Sequence, residues 1–161
     1  MYATLTRSNG SDPAPGGAPQ QLRLDQIGGP GRLLLQLWPD RPDDPGAFEV
    51  RHDQALADAA ADPAVASVLT FTGPVSEAVE EAGERAYRDR VNPGVAGHPG
   101  GVRMLSLWQP ELRRQVVIVL ATSVEAVEAG ERRIGSLPLL PGEDVALLPG
   151  PDHVELFRVQ R

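Results

Sequence analysis

Two segments of this chain read as strands that are apolar on both faces, and such strands cannot lie at a protein surface. Side chains alternate along a strand. Residues 102–108 therefore put Arg103, Leu105 and Leu107 on one side and Met104, Ser106 and Trp108 on the other. Residues 33–38 divide in the same way, with Leu33, Leu35 and Leu37 opposite Leu34, Gln36 and Trp38. Leaving a large apolar side chain in water forfeits about 1.5–3 kcal/mol. Both faces of both strands need cover.

The order of the remaining elements supplies it. Residues 2–7 alternate and form a first strand, whereas residues 8–31, rich in Gly, Pro and Gln around the weak segment 22–27, predict a flexible loop. After the strand at 33–38 comes a short one at 47–52, and Asp53 is placed to cap an alanine-rich helix ending before Pro63. A strand at 65–71 precedes a helix opened by Gly73-Pro74 and running to about Val91, with Val75, Val79, Ala82 and Ala86 as its apolar stripe. Strands at 102–108 and 115–121 follow. Thr122 with Glu125 then forms a capping-box signature for a helix to about Ile134, and a Pro/Gly-rich loop at 136–152 leads to a last strand at 154–159.

Residues 65–161 thus give β-α-β-β-α-β, the ferredoxin-like order of an α+β protein, in which two helices cover one face of a four-stranded antiparallel sheet. Residues 64–161 are expected to be a complete module and residues 1–63 a degenerate N-terminal half-module with a Gly/Pro-rich loop. A displacement of 70 positions lays Leu35–Trp38 on Leu105–Trp108 and the cap Asp53 on Ser123. This is either an internal repeat or the chance likeness of two amphipathic hairpins. The leucine faces are expected to meet the helices, and the faces bearing the tryptophans to meet a second sheet. That makes an α+β barrel, closed by internal duplication or by dimerisation, with Ser106, Gln36 and Glu155 around a partly wet interior.

Composition narrows the chemistry. All 15 basic residues are arginine, and there is no cysteine. Schiff-base chemistry, thiolate nucleophiles, cysteine-held metals and a Walker-type phosphate loop are excluded. A net charge of −7 argues against a nucleic-acid partner. The longest apolar run, residues 116–121, is far too short to span a bilayer, and the N-terminus lacks a charged and apolar leader, so the expectation is a cytoplasmic protein with no membrane partner.

Residues 1–7, the helix end Ala86–Pro93 with the glycine-rich 94–101 after it, the strand to Trp108, the hairpin into 116–128 and the closing strand 154–159 resemble the dimeric α+β barrel superfamily, within it the antibiotic-biosynthesis-monooxygenase type. The resemblance covers residues 65–161 and the first strand. Residues between Arg7 and Pro74 have no place in a minimal module, so closure within one chain and closure as a homodimer both stay open. The resemblance implies a cavity that, in catalytic relatives, binds a flat aromatic polyketide or phenol and lets it react with oxygen without cofactor, metal or flavin. The alternative is a non-catalytic barrel that binds a small ligand or serves in association only.

Few residues can carry such chemistry. His98, between Gly97 and Pro99 in a loop before a strand, is the best candidate base, although a loop histidine is more often merely solvated. His52 is a second candidate beside the cavity, and a strand-end surface residue is its commoner role; His153 reads as a turn residue. No two histidines have metal-ligand spacing. Tyr87 could supply a proton or hold an oxyanion, against simple packing at a helix edge. Trp108 and Trp38 could stack on an aromatic ligand or fill the core. Arg103 could fix a carboxylate, against a salt bridge to a helix acid. Arg85, Arg88, Arg90, Arg132 and Arg133 read as exposed helix-surface pairs with nearby acids.

Overall fold

The computed structural model describes residues 1–9 and 20–160. Eight strands run β1 Tyr2–Asn9, β2 Gln20–Gln26, β3 Gly31–Trp38, β4 Phe48–Ala55, β5 Val65–Phe71, β6 Gly101–Gln109, β7 Arg114–Ala121 and β8 His153–Gln160. They close into one barrel in the order β1-β3-β2-β8-β5-β7-β6-β4, with every neighbouring pair antiparallel. The helices are α1 Glu77–Ala86, continued by a π-helical turn at Tyr87–Val91 and by α2 Asn92–Val95, and then α3 Val124–Ser136. A 3-10 turn at Val145–Leu147 interrupts the last long loop. None of the helices is long and apolar enough to cross a membrane.

The circuit contains the same four-strand order twice. β8-β5-β7-β6 is the ferredoxin-like arrangement, and β4-β1-β3-β2 repeats it without helices among the described residues. A duplication fits this order, and one chain closes the barrel. The 70-residue displacement does not follow it. By place in the circuit β3 corresponds to β7, whereas Leu105–Trp108 belongs to β6, the counterpart of β2.

The two faces of the apolar strands are used the other way round from the expectation. Leu33, Leu35 and Leu37 of β3 and Leu105 and Leu107 of β6 point into the barrel with Phe48, Val68, Ile118 and Phe157, and all are nearly fully buried. Met104, Ser106 and Trp108 lie on the outer face, where Met104 packs with Leu56, Val95 and Tyr87. The physical reason is the closed circuit. Eight antiparallel strands enclose a space that side chains fill, which suits aliphatic and phenylalanine side chains without polar atoms, while residues that carry a polar atom go where partners or voids exist. Ser106 and Gln36 are outside the barrel for the same reason. Glu155 faces inward but sits at one end, in ion contact with Arg7 at 2.5 Å and within 3.3 Å of Gln26 Nε2.

Three expected elements change. The loop at 8–31 is β2 over its later part, since Leu22 and Leu24 point inward and β2 pairs with both β3 and β8; residues 10–19 of that loop lie outside the described residues. Asp53 caps no helix: it lies in β4, and turns at 56–61 replace the expected helix. Pairing along most of β4 with β6 outweighs the helix propensity of five alanines. The helix caps are Ser76 and Ser123, which accept from the backbone N–H of Val79 and Ala126; Pro74 and Thr122 precede them.

Candidate functional site between helices and sheet

The helices stand off the outer face of β5, β6 and β7 and leave a cavity of about 370 Å³. Its floor is the sheet, through Ser67, Leu69, Met104, Val117 and Val119. Its roof is α1 and α3, through Val79, Gly83, Val127 and Ile134, and Leu147, Leu148 and Pro149 of the last loop close one side. That loop is fastened by Glu143, which accepts from Arg90 Nε at 2.9 Å and from the backbone N–H of Leu140 at 2.7 Å. The Leu140 N–H first, and Arg90 after it, hold the Glu143 carboxyl below its ordinary range. Arg90 is therefore nearly buried in a cross-loop ion pair, not displayed on a helix surface. Arg132, by contrast, keeps the expected exposed i,i+4 contact with Glu128.

A β-bulge decides what reaches the cavity rim. The register of β4 on β6 shifts between Val50 and His52. An extra residue reverses the inside-outside alternation, so Val50 stays inside the barrel while His52 and Gln54 face the helix side. Arg51, at the bulge, places its guanidinium 4.2 Å from the centre of the Trp108 ring and 2.6 Å from Glu80. Glu80 also binds Arg113 at 2.6 Å, and Arg113 stands 5.7 Å from the same ring. Trp108 is thus held by two cations fixed to one carboxylate, and it is 4% exposed. Glu84, one turn along α1, accepts from His52 Nε2 at 2.7 Å.

Of the six residues singled out from the sequence, His98, Tyr87 and Trp108 line the cavity. His98 Nε2 is 2.8 Å from the carbonyl oxygen of Ala126 in α3. A carbonyl only accepts, so Nε2 carries the hydrogen and Nδ1 is the basic position. Gly130, one turn further along α3, leaves room for the ring: a Cβ there would lie 3.4 Å from His98 Cδ2. Gly100 has φ +81° and sits so close to α3 that a Cβ would collide with that of Ala126, which fixes the loop carrying His98. Tyr87 donates its hydroxyl to Gln54 Oε1 at 2.9 Å, and burial first, then the charges of Glu84 and Asp53, push its phenol up.

The other three stand elsewhere. His52 is behind the cavity wall, stacked on Tyr87. Trp38 is on the outer face of the β4-β1-β3-β2 half, donating its indole N–H to Thr4. Arg103 points into the end of the barrel, where Nε and Nη2 bind the two carboxylate oxygens of Asp53 at 2.7 and 2.8 Å and Nη1 reaches Gln20. Its acid comes from a strand and not from a helix. Sequence reasoning passed over Ser67, whose signal was a hydroxyl among the apolar residues in the first half of its strand, and Glu80 and Glu84, which cannot be told from surface acids before β4 is placed beside α1.

The barrel has counterparts among solved structures. A ferredoxin-fold protein from Listeria monocytogenes related to antibiotic biosynthesis monooxygenases superposes with a TM-score of 0.68 at 10% identity, over 99% of this chain and 94% of that one. The chain shares a ferredoxin-like α+β barrel fold with this structure. A heme-degrading enzyme from Listeria monocytogenes matches with a TM-score of 0.62 at 11% identity, over 98% and 99% of the two chains. A staphylococcal protein described as a major regulator of pathogenesis matches at 0.64 and 5% identity, over 98% of each. No family model matches the sequence, and no curated protein does. Among the described residues no group of three or more His, Cys, Asp or Glu is arranged to hold a metal ion.

Proposed function

We propose that the protein is a monooxygenase-like enzyme that takes a flat aromatic small molecule into the cavity between helices and sheet. The observation that carries this reading is the cavity itself: an apolar space of about 370 Å³ with an oriented imidazole, His98, in its wall. Largely apolar pockets with a few fixed polar groups are the usual form of small-molecule sites. Two structural counterparts support oxygen chemistry, one by its relation to monooxygenases and one as a heme-degrading enzyme.

In a reaction without cofactor the electrons come from the substrate. A methylene activated by a neighbouring phenol loses a proton to His98 Nδ1, and the resulting carbanion reduces oxygen. Across the whole reaction the methylene carbon loses both hydrogens and gains one oxygen as a carbonyl, and the second oxygen leaves as water. The Ala126 carbonyl continues to accept from Nε2–H and steadies the imidazolium that forms. Tyr87, kept protonated and bound to Gln54, shapes the wall and is not the base. Oxygen uptake with polycyclic phenols tests the reading. Uptake that scales with protein and falls at least tenfold in His98→Ala supports it, and binding without uptake supports the non-catalytic ligand-binding barrel. The engagement of Tyr87 by Gln54 and of Glu84 by His52, which ties up two of the proton-carrying groups in the cavity wall, is what favours that second reading.

A further inference from the structure

Ser67 poses a question that packing does not answer. It is 1% exposed, lines the floor of the cavity, and its hydroxyl oxygen is completely buried without a hydrogen-bond partner. Its strand neighbours on the same face are Val65 and Leu69, and across the ladder it faces Val119 and Leu156. All four are aliphatic. A water held there would lack the two or more polar anchors that an ordered buried water needs. Alanine or valine would satisfy the sheet and the cavity wall equally well, and an orphaned buried hydroxyl is a net cost to the folded state.

We propose that Ser67 is the hydrogen-bond anchor of the ligand. It selects planar, mostly apolar molecules that carry one acceptor oxygen, a carbonyl or phenolic oxygen, on the edge turned toward the sheet. The inference rests on the reading of the cavity as a ligand site and adds what that ligand must present. Because the hydroxyl has no competing partner, a ligand oxygen meets a donor that does not have to be released. Because everything around it is aliphatic, a hydrocarbon of the same shape leaves the donor unpaired, and discrimination falls on that one atom.

The test is the binding of 9-fluorenone against fluorene, a matched pair differing by the carbonyl. The wild-type protein is expected to bind 9-fluorenone roughly tenfold more tightly, with its carbonyl stretch at lower frequency than in an alkane. In Ser67→Ala the preference disappears while fluorene affinity is unchanged, and the ligand-free variant unfolds at a temperature equal to or above that of the wild type. Equal binding of both probes by the wild type, an alkane-like carbonyl band, a preference that survives in S67A, or an S67A that unfolds earlier each overturns the Ser67 assignment and leaves the cavity reading standing. Binding of neither probe overturns both.

Discussion

The rings of His52 and Tyr87 stack with centroids 4.1 Å apart and planes inclined by 27°. The contact joins β4, from the helix-free half of the barrel, to the π-helical turn that follows α1. Glu84 holds the imidazole and Gln54 holds the phenol, so both rings are fixed from two sides. The wall of the cavity is therefore built from both halves of the chain.

Tyr87→Phe keeps the stack and removes the bond to Gln54. The expected loss is about 0.5–1.5 kcal/mol in urea denaturation at neutral pH. The raised Tyr87 pKa adds a pH signature: its contribution is fully present below the ordinary tyrosine value, about 10, and is lost as pH rises through the higher folded value. Stability curves of wild type and Y87F should converge across that alkaline window; parallel curves contradict the assignment.

Glu155 gives the opposite slope. Its hydrogen bonds from Arg7 lower its carboxyl below the ordinary range. That contribution is present above the unfolded value, about 4.3, and is lost as pH falls through the lower folded one. Glu155→Gln should be less stable than wild type at pH 7 and converge with it in acid, as read by thermal midpoints from pH 7 to 2.5.

Gly83 separates helix propensity from cavity volume. A Cβ there meets nothing within 4 Å, and the residue lines the cavity from α1. Gly83→Ala should stabilise the protein by about 0.5–1 kcal/mol with ligand binding retained. Gly83→Leu should also fold but fill the cavity, weakening 9-fluorenone binding at least tenfold in a fluorescence titration.

Arg103→Ala should cost about 1.5–3 kcal/mol, since it strips two charge-assisted bonds from Asp53 at the barrel end. Probe affinity should be unchanged because Arg103 faces away from the cavity. A weakened affinity at full folding would show that the barrel end and the cavity communicate.

One chain closes all eight strands, so no open sheet edge requires a second copy. Sedimentation at micromolar concentration is expected to give the mass of a single chain. A stable dimer would mean that the helix or loop surfaces associate.

Much of this was legible in the sequence because periodicity is local. Alternation placed β1, β3 and β6, a continuous apolar run placed β7, the 3.6-residue stripe placed α1, and the two-sided apolar strands pointed to a barrel. Local reading failed where long-range pairing decides. Gln20–Gln26 has too few apolar residues to announce itself as a strand, and it becomes one because β3 and β8 bind it on both edges. Asp53 carries the signature of a helix cap, and pairing with β6 holds it in a strand.

Which face of an apolar strand turns inward was likewise not written in the alternation, since both faces are hydrophobic enough to be buried. Closure of the circuit chose the leucines for the interior. A single extra residue at Arg51 then moved His52 from the inside of the barrel to the helix side, behind the cavity wall, and no residue type marks where a bulge must fall. The sequence by itself determined that any catalysis comes from His, Tyr, Arg, carboxylates and the cavity itself, because lysine and cysteine are absent. Only the tertiary structure decided that the cavity lies between sheet and helices, with His98 in its wall and the unpartnered Ser67 hydroxyl on its floor. Those placements depend on strands and helices far apart in the chain, and burial and hydrogen bonding are settled only when they meet.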